Sequence, residues 1–182
     1  HRYLWEGRLA GQGISPYAET ADSEVWAGYR DAHWEQMNHK DKATAYPPAA
    51  LGVFGLLAGL RYETGFFKEA FVLADLLTLG AVLVLLRQRG LAASYAGFYA
   101  FNPVVLVAFA AEGHFDSLMI AALAWALVAG RGPLGSALVS LSSAFKWSTL
   151  PLLAFFLSRS PARLPGPASL LLSGAVLLGP LL

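Results

Sequence analysis

The chain has 182 residues, of which 56% are hydrophobic and only 14% are charged, and it contains no cysteine. This composition excludes an intrinsically disordered protein, a disulfide-stapled secreted domain and a cysteine-ligated metal site. The net charge of +1 provides no basic surplus for a nucleic-acid surface, so we expect no nucleic-acid partner.

Polar residues are concentrated at the beginning of the chain. Residues 1–46 hold seven of the twelve acidic residues, three of the four histidines and three of the five tryptophans. The remaining 136 residues are too apolar for one water-soluble core, which predicts an all-α, polytopic transmembrane helical bundle. We expect residues 1–65 to form a loop outside the bilayer with short interfacial helices, and residues 66–182 to form the bundle.

Two segments of the loop have the pattern of helices at a membrane surface. The apolar positions Val25, Tyr29 and Trp34 predict a short amphipathic helix. The helix-breaking sequence Tyr46-Pro47-Pro48 precedes an apolar stretch, residues 49–60. This stretch is shorter than a typical transmembrane helix, which favours an interfacial or re-entrant helix. If residues 47–60 do cross the bilayer, the loop and the later acidic residues lie on opposite faces.

Five apolar segments follow and predict membrane-spanning helices. Two of the short connecting loops carry arginines, at Arg87, Arg89 and Arg131, and these loops are expected to face the cytoplasm. This orientation places the polar head, residues 1–65, on the other side of the membrane. Arg159 and Arg163 count against this orientation. The predicted spans cover residues 66–86, 91–111, 115–130, 134–157 and 168–182.

The ends of the chain predict a fragment. The chain begins on His1 inside the polar head, and it ends at Leu182 inside an apolar run of fifteen residues, 168–182. Such a run reaches only about 22 Å, short of a bilayer core of about 30 Å. We therefore expect that an N-terminal span and a C-terminal part are missing, with a complete small membrane protein as the alternative.

The densest group of reactive side chains in the apolar part is the acidic turn, Glu112-Gly113-His114-Phe115-Asp116. Ionisable groups at a membrane boundary are costly unless they face water or a binding site. A histidine between two carboxylates can act as an acid, a base, a phosphate donor or a metal ligand. A solvated loop is the alternative interpretation, and the spacing of the residues gives little support to a metal site.

Two further positions interrupt the predicted spans. Lys146 lies about twelve residues from either end of 134–157, too far for its side chain to reach the interface readily. It is therefore expected to face the bundle interior, either in an ion pair, with Asp75 as one candidate, or against a phosphate. Pro103 in the middle of 91–111 predicts either an ordinary kink or a break that shapes a cavity below the acidic turn.

The first residues of the head combine aromatic and charged side chains. Aromatic faces with arginine and carboxylate groups suit sugar rings and phosphates, although anchoring at the interface explains the aromatic residues equally well. The sequence contains no P-loop, no dinucleotide-binding glycine pattern and no GxSxG motif.

The order of four segments resembles the GT-C superfamily of membrane glycosyltransferases. These segments are RYLWEGRLAGQGISPY, MNHKDKATAYPP, AFNPVVLVAFAAEGHFDSLM and AFKWSTLPLL. They are similar to bacterial polyprenol-phosphate-mannose-dependent mannosyltransferases, which are glycosyltransferase family 87 and its relatives. The dolichyl-phosphate-glucose glucosyltransferases of the endoplasmic reticulum share a similar YPP step and Asn-Pro…Gly-His-Phe stretch. The resemblance covers nearly the whole chain, in order.

The resemblance implies transfer of a hexose, with mannose expected, from a polyprenyl-phosphate donor to a lipid-linked or glycan acceptor. The reaction would take place on the extracytoplasmic face of a bacterial plasma membrane, in contact with membrane lipid and without a nucleotide sugar. No cofactor is implied, although some members of the superfamily need a metal. A transporter or flippase for a lipid-linked substrate and a degenerate, non-catalytic membrane protein are the alternatives.

The resemblance also implies roles for particular residues. In relatives the catalytic acid precedes the RYLW-like stretch, a position before His1, so the fragment by itself is expected to be inactive. Glu6 is the nearest remaining acid and a candidate catalytic residue, as a substitute base or a group that orients the acceptor. His114 and Asp116 match the family's Gly-His-acid stretch, which implies that they are catalytic residues of the active site. Substrate-binding roles are implied for Arg2, Tyr3, Trp5, Arg8, Asn38, His39, Tyr46, Glu112 and Lys146.

Overall fold

The structure, a computed structural model, describes residues 1–157 and 167–178 of the chain. The described residues are helical or irregular, and none of them lies in a strand. The all-α prediction is therefore confirmed for this part of the chain. Clustering of contacts divides the chain into two compact units, His1–Phe67 and Lys68–Leu182.

The first unit is built around two helices, α1 (Arg2–Gly11) and α3 (Pro48–Leu60), which pack against each other through glycines. A Cβ atom on Gly7 would lie 2.5 Å from the carbonyl oxygen of Phe54, and one on Gly11 would lie 3.2 Å from that of Gly55. Because glycine has no side chain, the two helix backbones can approach to this distance. The helices of this unit are α1 (Arg2–Gly11), a 3₁₀ helix (Glu24–Tyr29), α2 (Ala32–Glu35) and α3 (Pro48–Leu60).

The loop between α1 and α3 folds back over α1 and forms a small apolar core. Trp5 and Leu9, one turn apart on α1, pack against Trp26 and Met37 of the loop. The rings of Trp5 and Trp26 meet edge to face, with their centroids 6.3 Å apart. Trp5 is thus a core residue of the first unit, only 2% exposed, and not an open platform for a sugar ring.

The amphipathic helix predicted around Val25, Tyr29 and Trp34 is instead two short helices. The 3₁₀ helix ends at Tyr29, and Asp31 then caps α2 by accepting hydrogen bonds from the backbone N–H groups of His33 and Trp34, each 2.9 Å long. An aspartate before a helical turn favours such a cap, which starts a new helix instead of continuing the old one.

One described helix is long and apolar enough to cross a membrane. This helix, α4, spans Thr64–Gln88, lies mostly in the second unit and is about 38 Å long. Four of its aromatic and small side chains are buried, and four leucines are exposed. The buried residues are Phe67, Phe71, Ala74 and Ala81, and the exposed ones are Leu73, Leu76, Leu77 and Leu83. Of the remaining helices, α6 is Asp116–Ala129, α7 is Pro133–Phe145, α8 is Leu150–Leu157 and α9 is Pro167–Leu178.

The segment predicted as a span over 91–111, with a kink or a break at Pro103, is bent by 62°. A 3₁₀ turn (Ala93–Ala96) and α5 (Gly97–Ala100) precede the bend, and a π-helix (Val105–Ala111) follows it. Pro103 lies at the bend, where its missing N–H and its ring prevent a regular helix. If the bent pair is one span, the described residues contain two such segments, and a polytopic bundle stays a prediction.

The other predicted spans are shorter helices in the structure. The helix expected over 134–157 is interrupted after Phe145, and α6 has only 14 residues. Residues 179–182 of the fifth predicted span, together with Arg159 and Arg163, lie outside the described residues. Within the unit, α7 packs against α6, α8 and α9, and a core of Ala126, Val139 and Phe156 joins α6, α7 and α8.

Candidate functional site

The acidic turn is held in place by a lysine on α4. Lys68 donates a hydrogen bond from Nζ to the carbonyl oxygen of Ala111, where the π-helix ends, over 2.5 Å. Gly113 then adopts a left-handed backbone conformation with φ of 73°, and a Cβ atom there would lie 2.9 Å from Cγ of Lys68. Glycine is therefore required at this position by both its backbone conformation and its neighbour.

Asp116 lies between two basic groups. Lys146 Nζ lies 2.5 Å from Asp116 Oδ1, and His114 Nδ1 lies 3.9 Å from Asp116 Oδ2. The carboxylate is mostly covered, with 17% of its side chain exposed, whereas Lys146 and His114 are 47% and 52% exposed. Asp116 thus holds the ammonium group of Lys146 in an ion pair, while that ammonium group and the nearby imidazole of His114 are both about half exposed and so accessible to an anion.

The sequence predicts Lys146 inside a continuous helix over 134–157, but the structure breaks the helix at this residue. The helix α7 ends at Phe145, and Lys146 has an extended backbone with φ of −155° and ψ of 122°. A 3₁₀ turn, Trp147–Thr149, then leads into α8. Asp75, one candidate for an ion pair with Lys146, instead accepts a hydrogen bond from the hydroxyl of Tyr99 over 3.1 Å.

Two other groups lie beside this site in the sequence. Glu112, expected to bind substrate, is exposed. Trp147 follows Lys146 directly and is 65% exposed. Among the described residues there is no group of three or more histidine, cysteine, aspartate or glutamate side chains placed to hold a metal ion.

The first unit uses its predicted site residues for a different purpose. Glu6 is 1% exposed, and both of its oxygens are engaged: Arg2 Nε donates to Oε1 over 2.7 Å and Thr44 Oγ1 donates to Oε2 over 2.6 Å. Arg2 also donates to the carbonyl oxygens of His39 and Lys42, both over 2.8 Å. Glu6 and Arg2 therefore fasten the loop to α1, and Glu6 is not an accessible base.

Residues 1–160 match the family model described as the N-terminal domain of alpha-(1→6)-mannopyranosyltransferases. The chain belongs to this mannosyltransferase family. No curated protein and no solved structure matches the chain. The family supports a mannose-transferring glycosyltransferase, a reaction that requires a sugar donor and an acceptor.

Arg8 of the mannosyltransferase is also held within the first unit. Its Nη1 lies 2.6 Å from Asp31 Oδ2, and the same oxygen accepts a hydrogen bond from the hydroxyl of Tyr62 over 2.8 Å. The pKa of the Tyr62 hydroxyl is raised, mainly because the group is buried and secondly because it donates a hydrogen bond to Asp31. Sequence reasoning missed Asp31 and Tyr62, because only the fold brings them to Arg8.

The remaining predicted residues of the loop fall into two groups. Tyr3 stacks on Phe54, with the ring centroids 4.8 Å apart, and Tyr46 meets Tyr3 edge to face at 5.2 Å. Asn38 and His39 are exposed, and His39 has a left-handed backbone with φ of 56°. The contacts of Tyr3 and Tyr46 stabilise the pairing of the loop with α1 and α3.

Burial of Glu6 predicts that the stability of the first unit depends on pH. Desolvation raises the pKa of Glu6 above its ordinary value of 4.5, and Thr44 and Arg2 oppose this only in part. Because the folded state then binds the proton more tightly than the unfolded state, the free energy of unfolding falls as the pH rises from about 4.5 through the raised pKa. Amide hydrogen exchange of α1, followed across this range, measures the slope.

The matched variant for this measurement is Glu6→Gln, which keeps the shape of the side chain but does not ionise. We expect the slope to become smaller in this variant. An equally steep slope in Glu6→Gln would assign the pH dependence to other groups.

Proposed function

We propose that the full-length protein transfers mannose from a polyprenyl-phosphate donor to a lipid-linked or glycan acceptor on the extracytoplasmic face of the membrane. The observation that carries this proposal is the pair of exposed basic groups, Lys146 and His114, on either side of Asp116. In this proposal Lys146 and His114 contact the phosphate of the donor, and Asp116 holds Lys146 in place. Residues 1–65 form the extracytoplasmic loop and residues 66–182 belong to a GT-C-like bundle.

The chemistry of the donor explains why basic groups are needed. The acceptor oxygen forms a bond to the anomeric carbon and gives its proton to a carboxylate base, while the bond between that carbon and the phosphate oxygen breaks. Negative charge then accumulates on the departing lipid phosphate. An ammonium group and an imidazole placed at that phosphate stabilise the charge as it develops. Asp116 keeps Lys146 in position for this contact.

The exposed leucines of α4 support the proposal that lipid surrounds this helix. Leu73, Leu76, Leu77 and Leu83 are each more than two-fifths exposed on a helix that is long enough to cross a bilayer. Lipid would cover such a surface, and a donor with a polyprenyl chain enters its site from lipid. The family supports association with a membrane, and the bacterial plasma membrane is part of the proposal.

The proposed site predicts a large loss of mannosyl transfer when His114 and Asp116 are both replaced. Membranes that contain the full-length protein are supplied with labelled polyprenyl-phosphate-mannose and acceptor lipids. The double variant His114→Ala with Asp116→Ala is expected to lower transfer by about 100-fold, since it removes the imidazole and releases Lys146.

The control is Glu63→Ala, which removes an exposed carboxylate that pairs with Arg61 over 2.8 Å in the first unit. This variant is expected to keep the wild-type rate. Unchanged transfer in the double variant would remove His114 and Asp116 from the site.

A further inference from the structure

The position of Lys146 depends on three buried hydroxyl groups. Thr149 Oγ1 donates to the carbonyl oxygen of Lys146 over 3.3 Å and lies 3.1 Å from the Oγ atoms of both Ser142 and Ser143. Ser142 Oγ also lies 2.9 Å from the carbonyl oxygen of Met119 on α6. Ser142, Ser143 and Thr149, which we call the hydroxyl cluster, are 0%, 2% and 6% exposed.

The helix α7 ends at Phe145, directly before Lys146. Residues 143–150 read SAFKWSTL, and the nearest helix-breaking residue is Pro151. Pro151 prevents a regular helix from continuing past Trp147, because it has no N–H and its ring would clash with the carbonyl group four residues earlier. The hydroxyl cluster holds the backbone within this break, since Thr149 Oγ1 donates a hydrogen bond to the carbonyl oxygen of Lys146, which no longer has a regular helical partner.

The consequence of this break is the direction of the Lys146 side chain. With an extended backbone at Lys146, its Nζ reaches Asp116 at the start of α6, over 2.5 Å. The bond between Ser142 and the backbone of Met119 joins α7 to the same helix, α6. The cluster thus connects both ends of the Asp116–Lys146 pair.

We propose that Ser142, Ser143 and Thr149 are positioning residues that hold the backbone of Lys146 at the break between α7 and α8 and so aim its ammonium group at Asp116 and the donor phosphate. Thr149 is the central member, because it contacts both serines and the backbone of Lys146. The part of the inference that concerns the phosphate rests on the proposed function. The part that concerns the Asp116–Lys146 pair does not.

A zero-length cross-link tests the geometry without any substrate. A carbodiimide activates a carboxylate, which then forms an amide with an amine that is already in contact, so the wild-type protein should yield a cross-linked peptide joining Asp116 to Lys146. Thr149→Val keeps the volume of the side chain but removes the hydroxyl, and it should lower this yield about ten-fold. Thr149→Ser restores the hydroxyl and should restore the yield.

Ser140 provides the matched control within the same helix. It is buried to the same degree as Ser142, but its Oγ bonds only to the carbonyl oxygen of Ser136, one turn earlier in α7, over 2.9 Å. Ser140→Ala should therefore leave the cross-link unchanged. A yield in Thr149→Val equal to the wild-type yield would overturn the inference, and so would an equal loss in Ser140→Ala.

Kinetics of the full-length protein test the link to transfer. Thr149→Val should lower kcat about ten-fold and Thr149→Ser should recover it, in parallel with the cross-link. In a Lys146→Ala background, Thr149→Val should have no further effect on kcat, because the cluster acts through Lys146.

Two outcomes separate this inference from the proposed function. A ten-fold fall of kcat in Thr149→Val that is repeated in the Lys146→Ala background would overturn the inference and leave the donor assignment standing. Absence of transfer from polyprenyl-phosphate-mannose in the wild-type protein would refute the proposed function, whereas loss and recovery of the cross-link in the two Thr149 variants would still support the positioning of Lys146.

Discussion

Lys146→Ala is expected to lower mannosyl transfer by the full-length protein by about 100-fold or more. Removal of one preorganised group that stabilises developing charge has an effect of this size in other enzymes. The loss should appear in kcat, because the phosphate becomes more negative as the bond to the sugar breaks. The measurement is the initial rate with labelled polyprenyl-phosphate-mannose over a range of donor concentrations.

Two further variants make this result specific. Lys146→Arg keeps the positive charge and should retain more activity than Lys146→Ala, although its planar group changes the geometry of the contact. Lys42→Ala removes an exposed lysine whose ammonium group lies 3.0 Å from its neighbour Asp41, and it should keep the wild-type rate. If Lys146→Ala and Lys42→Ala had the same rate, Lys146 would have no part in the stabilisation of the phosphate.

The acidic turn and Lys146 are recognisable in the sequence because charged residues are rare in the apolar part of this chain. Their geometry is not, since the contacts of Thr149 with Ser142, Ser143 and the carbonyl group of Lys146 are seen only in the fold. Residues 134–157 have the pattern of an apolar helix except at Pro151, which indicates a break near Trp147. Three serines and a threonine close to Lys146 are a second signal of a break.

The polar head illustrates a different limit. The sequence predicts the helix after Tyr46-Pro47-Pro48, which is α3 in the structure, but it predicts one helix around Val25, Tyr29 and Trp34 where the structure has two short ones. The sequence favours sugar or phosphate contacts for Trp5, Glu6 and Arg2. In the structure the loop buries Trp5 and Glu6, and it holds Arg2, which stays partly exposed. Trp5 and Leu9 stand four residues apart on α1, a spacing that already favoured a buried face. The contacts of Arg2 with residues 39 and 42 are distant in the sequence and could be seen only in the fold.

The second large effect is expected from Gly7→Ala, which should destabilise the first unit by about 1–3 kcal/mol. The added methyl group would lie 2.5 Å from the carbonyl oxygen and 2.8 Å from the Cβ atom of Phe54, so α1 and α3 must move apart. Protection of the amides of both helices against hydrogen exchange in the full-length protein measures the loss.

A second glycine on the same helix pair separates steric overlap from helix propensity. Gly52 lies on α3, and a Cβ atom there would have nothing within 4 Å. Alanine is favoured over glycine inside a helix by about 1 kcal/mol, so Gly52→Ala should stabilise α3, whereas Gly7→Ala should lose stability in spite of the same gain. Equal protection in the two variants would mean that the close approach at Gly7 does not limit the packing of α1 on α3. The two substitutions are expected to change the stability in opposite directions only because a Cβ atom has room at Gly52 and none at Gly7. The chemical change and the helical setting are the same at both positions.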